Sequence, residues 1–402
     1  MLGLLKNCLC FVLILLSGCI IGKGGNEDIS EFASLVLGQS GFESSDNNSG
    51  ASSGQASASS LSSPQGIFFD GTRLYIADTN NNRVLIWTSA PSSNNQASNI
   101  VIGQANATDN SPNQGGTASC ATLSSPTAVH VNGNRLFIAD SGNNRVLVFN
   151  NANSLSTGAT ANFVIGHGGS SACSETRSNQ LDNDKTGARS DTLNNPTALF
   201  FDGSKLFVAD TNNHRVLIYN SLPSGHGHEA NVALGQTALD QNTLGAVSAT
   251  TLNKPGGVYV TNGKILVSDT GFNRVLVFNS IPTANNGQSP SANVVIGQTA
   301  TNTSTSGVGA ALLSAPAQIS GDEDKKILIA DKGNHRVVVF NGIPTTNGLS
   351  ANEVMGQDSF TSSSSNRGTT AKGNTLNSPS GVSGHAANFW VSDTLNHRAL
   401  RF

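Results

Sequence analysis

The sequence predicts an all-β fold: a six-bladed β-propeller in which each blade is a four-stranded antiparallel sheet. Three observations predict it. The pattern Asp-x-x-x-[Asn/His]-Arg-[Val/Ala]-[Leu/Val] occurs six times, pairing Asp78 with Arg83, Asp140 with Arg145, Asp210 with Arg215, Asp269 with Arg274, Asp331 with Arg336 and Asp393 with Arg398. The copies lie 62, 70, 59, 62 and 62 residues apart, and recurrence at a near-constant period marks a repeat architecture. Each repeat also contains four short apolar runs, rich in β-branched and aromatic residues and without helical period. Four-stranded units repeated radially describe a propeller, a design that accommodates 4–8 blades. Finally, the sixth repeat ends at Phe402 after its third run, and a run equivalent to the missing fourth stands at the other end of the chain, at 34–39. The N-terminal strand is therefore expected to complete the last blade and close the ring without a loose edge.

The elements follow in order. Residues 1–18 begin with an apolar stretch bearing Lys6 and continue into an unbroken hydrophobic core at 9–16. The apolar run is shorter than the roughly 20 residues that span a bilayer, so the segment reads as a cleaved signal peptide. Residues 19–32 follow as a short tether, and 33–402 as the propeller. In the first repeat, Gln65-Gly66-Ile67-Phe68-Phe69 is separated from Leu74-Tyr75-Ile76-Ala77 by Asp70-Gly71, a tight-turn signal between antiparallel strands. The chain turns at Asp78, resumes at Arg83-Val84-Leu85-Ile86-Trp87, crosses a polar loop and ends the unit on Ile100-Val101-Ile102-Gly103-Gln104.

Composition agrees with an exported globular chain. Only 12% of residues are charged, so surface polarity comes from Ser, Thr, Asn and Gly. The formal charge is −3, and loss of Lys6 with the signal makes the mature chain −4. No basic cluster interleaves with aromatics, which argues against nucleic-acid binding.

Two stretches resemble known families. Leu16-Ser17-Gly18-Cys19 resembles the lipobox of bacterial lipoproteins, which implies that Cys19 becomes the diacylated first residue of the mature chain. The resemblance implies a bacterial cell-envelope location with a lipid anchor, and Ile20 in place of Asp favours the outer membrane if the cell is Gram-negative. The repeated Pro-x-Gly-[Ile/Val], [Leu/Ile]-[Tyr/Phe/Leu]-[Ile/Val]-[Ala/Ser]-Asp and Asn-[Asn/His]-Arg-Val look like the NHL repeat, over nearly all of 34–402. The units here are longer, with Ser/Asn/Gly-rich links of about 18–29 residues between blades, as from Gln104 to Pro126. In such propellers those links share one face with the Asp/Arg turns and are long enough to build a functional surface.

Candidate chemistry is sparse. The Asp–Arg pairs recur in every unit and read as structural, holding turns by charge-assisted bonds. His214, His335 and His397 occupy the place of Asn82, Asn144 and Asn273, a turn-bonding position. His130 lies on an inner strand at the register of Phe68, Phe200 and Tyr259 and is expected to pack between blades, while His226, His228 and Glu229 form a solvated loop. NHL-like propellers include metal-dependent lyases and lactonases with His and carboxylates around the channel, and a hydrolase or lyase of that kind is the alternative function. Here the residues after each repeat Pro are Gln65, Thr127, Thr197, Gly256, Ala317 and Ser380, so ligands would have to come from loop residues such as Asp182, Asp184 and Asp191. No catalytic residue, metal ligand or cofactor is expected. Of the five cysteines, Cys120 and Cys173 remain after the signal and anchor, in consecutive links. An oxidising compartment favours a disulfide between them, and closing 53 residues would stabilise by about 4 kcal/mol. The expected function is a non-enzymatic, monomeric binding scaffold that displays its links to a protein or glycan of the envelope.

Overall fold

The computed structural model describes residues 31–51, 54–167, 173, 188–322, 325–386 and 388–402. Cys19, Asp182 and Asp184 lie outside the described residues. The chain forms a ring of six sheets, each of four antiparallel strands. Blade 1 comprises Ile67–Phe69, Leu74–Asp78, Arg83–Trp87 and Ile100–Ile102, from the channel outward. Blades 2 to 5 repeat this order. In blade 6 the inner three strands are Gly381–His385, Asn388–Asp393 and Arg398–Arg401, and the outer strand is Leu35–Leu37. Leu35 stands opposite Arg401 and Leu37 opposite Ala399, so the N-terminal strand completes the last blade as the repeat pattern predicts.

The strands alternate in direction, which gives the ring two distinct faces. The turns between second and third strands and the long links between blades lie on one, the link face. The tight hairpins lie on the other, and the chain enters the ring there, since Leu35 pairs with the far end of the third strand. The core is six layers between adjacent blades rather than one centre; Leu85 and Trp87 of blade 1, for instance, pack with Leu35 and Trp390 of blade 6. Each outer strand bears a row of unpaired backbone groups, the edge that makes isolated sheets aggregate. In blades 6, 1, 2, 3 and 4 the next blade's outer loop covers it; Asn94, for instance, accepts from Val36 N at 3.0 Å, Asn285 from Ala233 N at 2.7 Å and Asn347 from Val295 N at 3.0 Å.

One glycine per blade is required by the backbone. Gly103, between outer strand and link, has φ +95°, and a Cβ there would lie 2.6 Å from Leu123 Cδ1. The recurring Gly-Gln pair follows from this geometry, because the chain must turn sharply over the Leu of its own link. The Gln beside it is buried and holds the turn. Gln104 Nε2 donates to Asn82 O at 3.0 Å and to Ser111 O at 2.9 Å.

Candidate functional site

The link face is organised by the repeat Asp and Arg, all fully buried. In blade 1, Asp78 Oδ1 accepts from Ser62 N at 2.7 Å, while Oδ2 accepts from Asn81 Nδ2 and from Arg83 Nε, both at 2.8 Å. The guanidinium then reaches outward. Arg83 Nη1 donates to Ala107 O at 2.6 Å in the link after the blade, and Nη2 to Ser57 O and Ser60 O in the link before it, at 2.8 and 3.0 Å. The other five arginines also bind carbonyls of both flanking links. One buried cation per blade therefore holds two links in register. Blade 2 adds a covalent bond to the same arrangement: Cys120 and Cys173 are disulfide-bonded, with Cα atoms 5.0 Å apart, on the two links that Arg145 bridges.

The residue before each Arg has left-handed backbone, φ +53° at Asn82 and His214 and +50° at His397. Its side chain must accept one hydrogen bond from the start of a neighbouring blade. Asn82 Oδ1 accepts from Ser125 N at 2.8 Å, and His397 Nδ1 from Ser63 N at 3.0 Å. An unprotonated imidazole nitrogen does the work of an amide oxygen, which explains why Asn and His exchange here. Burial pushes the imidazoles of His214, His335 and His397 down, favouring this neutral acceptor form.

The channel itself is built by the inner strands. Its upper half, opening on the link face, is a cavity of about 260 Å³. All six residues that follow the repeat proline line it: Gln65, Thr127, Thr197, Gly256, Ala317 and Ser380. Beneath them the wall turns apolar. Phe68, His130, Phe200 and Tyr259, one each from blades 1 to 4, form a continuous arc with ring centroids 4.6, 4.6 and 5.3 Å apart. The same four residues line a wider cavity opening on the hairpin face, so the arc is the waist of the channel. His130 Nε2 lies 3.1 Å from Phe201 O, and desolvation lowers its pKa to about 4. It is a neutral member of the stack. On the other side Ser320 and Ser383 replace the rings, and Gln318 Nε2 donates to Ile67 O at 2.9 Å, joining blade 5 to blade 1.

Above the waist, a hydroxyl next to the repeat Asp fastens each blade to the next. Thr79, Thr211, Thr270 and Thr394 donate to Pro126, Pro255, Pro316 and Pro64 carbonyls at 2.6–2.8 Å, and Ser141 donates likewise to Pro196 O. In blade 5 the equivalent residue is Lys332, whose side chain lines the cavity together with Lys254. Neither lysine emerges from a search for motifs. Lys332 becomes visible in the sequence only when the six repeats are aligned on their Asp, where it stands against four Thr and one Ser.

Other expected residues fall elsewhere. Asp191 pairs with Arg189 Nη2 at 2.6 Å and is not among the residues lining the channel. His226 is not simply solvated. Its Nδ1 accepts from Val164 N at 3.3 Å and covers the outer strand of blade 2, and His228 lies against Tyr219 with centroids 6.2 Å apart. Among the described residues no group of three or more His, Cys, Asp and Glu is placed to hold a metal ion. The carboxylates at the hairpin-face mouth serve their own turns, as Asp70 Oδ1 does for Thr72 N and Arg73 N at 2.8 and 2.6 Å.

No protein-family model matches the chain, and no curated protein matches its sequence. Among solved structures, a protein of unknown function from Bacteroides thetaiotaomicron matches 91% of this chain and 75% of its own, with TM-score 0.50 and 13% identity. A nidogen/laminin complex structure matches 72% of this chain and 83% of its own, at 14% identity and TM-score 0.39. Likeness at such identities concerns the fold alone. The chain is a six-bladed β-propeller.

Proposed function

We propose that this chain is an envelope lipoprotein with an NHL-type propeller, tethered through Cys19 and acting as a non-enzymatic binding scaffold for a protein or glycan. The observation that carries the reading is the fixing of the links by buried arginines. Surface links of this length ordinarily move and lose entropy on binding. Here the links are bound to the frame at both ends, so among the described residues the link face is a preorganised platform of Asn, Ser and Thr side chains with few charges. Such a surface suits directional hydrogen bonding rather than electrostatic capture. Leu244, Val308 and Leu395 add exposed apolar contacts on the same face. The point where the chain enters the ring favours the same orientation. The tether joins at the hairpin face, so an anchored propeller turns its links away from the membrane.

Two measurements test the proposal. Cys19→Ala should move the protein from the membrane to the soluble envelope fraction, and unchanged membrane association rejects the anchor. A photo-crosslinking amino acid at exposed Thr108 or Ser111 should yield discrete adducts in intact cells, whereas the same group at Asn134 or Ser204 on the hairpin face should not. Adducts of equal yield from both faces reject the link face as the binding surface.

A further inference from the structure

The upper channel cavity differs from the link platform in one respect: two lysines, Lys332 and the exposed Lys254, line it, and no carboxylate among the described residues lines it with them. The Lys332 ammonium group makes no ion pair or hydrogen bond among the described residues, and the residue occupies the one place where the ring of blade-to-blade hydroxyl bonds is interrupted. The substitution therefore costs a structural bond and puts an ammonium group, on a long apolar stem, into a neutral space. Burial pushes the amine down from its ordinary value, as expected for an ammonium group without a partner.

We propose that this cavity binds a small monocarboxylate with an apolar body, an aromatic or short acyl acid, its carboxylate on Lys332 and its body on the arc of Phe68, Phe200 and Tyr259. Three features select this class. A lysine is a compact point charge on a flexible stem that suits one anionic head without demanding a fixed bidentate geometry. Lys332 is half-buried while Lys254 is exposed at the rim, so the wall offers one partly desolvated cation to balance one negative charge, and a second charge on the ligand would stand poorly compensated. The lower wall is aromatic, and a volume of about 260 Å³ is at the small end for ligand pockets. The polar rim and apolar belly are stacked in the order that an acid entering tail first requires. This inference does not depend on the anchor or on the link platform, and it stands or fails separately from them.

The test uses purified protein and a panel of benzoate, phenylacetate and hexanoate, each beside its primary amide, read by saturation-transfer NMR and calorimetry. At least one acid should bind saturably at one site, at least tenfold more tightly than its amide. Binding should weaken as pH rises through the depressed pKa of Lys332, below the range in which an exposed lysine deprotonates. Lys332→Thr installs the hydroxyl of the other blades, so it should fold with an unchanged or higher Tm and lose at least tenfold in affinity. Equal affinity for acid and amide, no binding by any acid of the panel, or an unimpaired Lys332→Thr protein overturns the proposal.

Discussion

At the residue scale, the molecule rests on a buried ion pair repeated six times. Such pairs are not strong stabilisers relative to apolar packing, yet removing one partner strands a buried charge and costs about 3–5 kcal/mol. The Asp–Arg spacing and its structural character are legible in the sequence, because the two residues close one turn. The carbonyls each Arg reaches are not legible, since they lie 23–28 residues away, or 356 for Arg398 and Phe42, in links whose sequences do not repeat. Blade 4 lacks one part of the node. Phe272 stands where Asn81 donates to Asp78, and it packs on Arg274 with the guanidinium 5.2 Å from the ring centroid. Burial, only partly offset by Arg274, raises the Asp269 carboxyl to about 6. That folded value lies above the unfolded one, so the group favours folding below the unfolded pKa and opposes it as pH rises through 6. Phe272→Asn supplies a donor to the ionised form and draws the folded pKa down. A hydrogen bond to a charged group is worth roughly 1.5–3 kcal/mol and the lost cation–π contact about 0.5–1. The variant should therefore melt about 1–2 °C higher at pH 7.5, a gain that vanishes near pH 4. Equal gain at both pH values would contradict this account of Asp269.

At the element scale, the outer strands decide whether each blade is a finished object. Four strands per blade, their order and the displaced N-terminal strand are all legible, because apolar alternation and Asp-Gly or Asn-Gly turns are local signals. The covering of five of the outer edges by the next blade's loop is not, because the recipient is a backbone N–H about 50 to 60 residues away that no side-chain pattern records. His226 belongs to this device, which is why it reads as an idle loop residue in isolation. Leu35, Val36 and Leu37 are buried, and each such side chain is worth about 1.5–3 kcal/mol. Deleting residues 32–39 should thus lower Tm by many degrees and expose the third strand of blade 6 to pairing with other chains. A truncated protein that melts within a degree or two of the full-length one and stays monodisperse would show that the strand is dispensable.

At the scale of the whole molecule, six similar units make an unequal ring. Blades 1 to 4 give the channel its aromatic arc, blade 5 gives Lys332, and blade 2 holds the disulfide. The neutral ring after each proline is legible because the prolines fix the register of every inner strand. The cavity's apolar belly escapes notice because its members are separated by some 60 residues and read singly as core. Non-reducing peptide mapping should recover Cys120 joined to Cys173, and a Cys120→Ala, Cys173→Ala protein should lose up to about 4 kcal/mol, the loop-closure value for 53 residues. Two alkylatable thiols in freshly isolated protein would contradict the bond. The closure of the ring also sets an order of events during biosynthesis. Ser34 bonds to Arg401 across 367 positions, so the first strand to emerge from the ribosome has no partner until nearly the last. At roughly 5–20 residues per second, that wait is on the order of tens of seconds. Through all of it the nascent chain has an unfinished sixth blade and cannot lock into a closed circle. For the export proposed above this delay is an advantage, because a translocation channel passes threads and not rings.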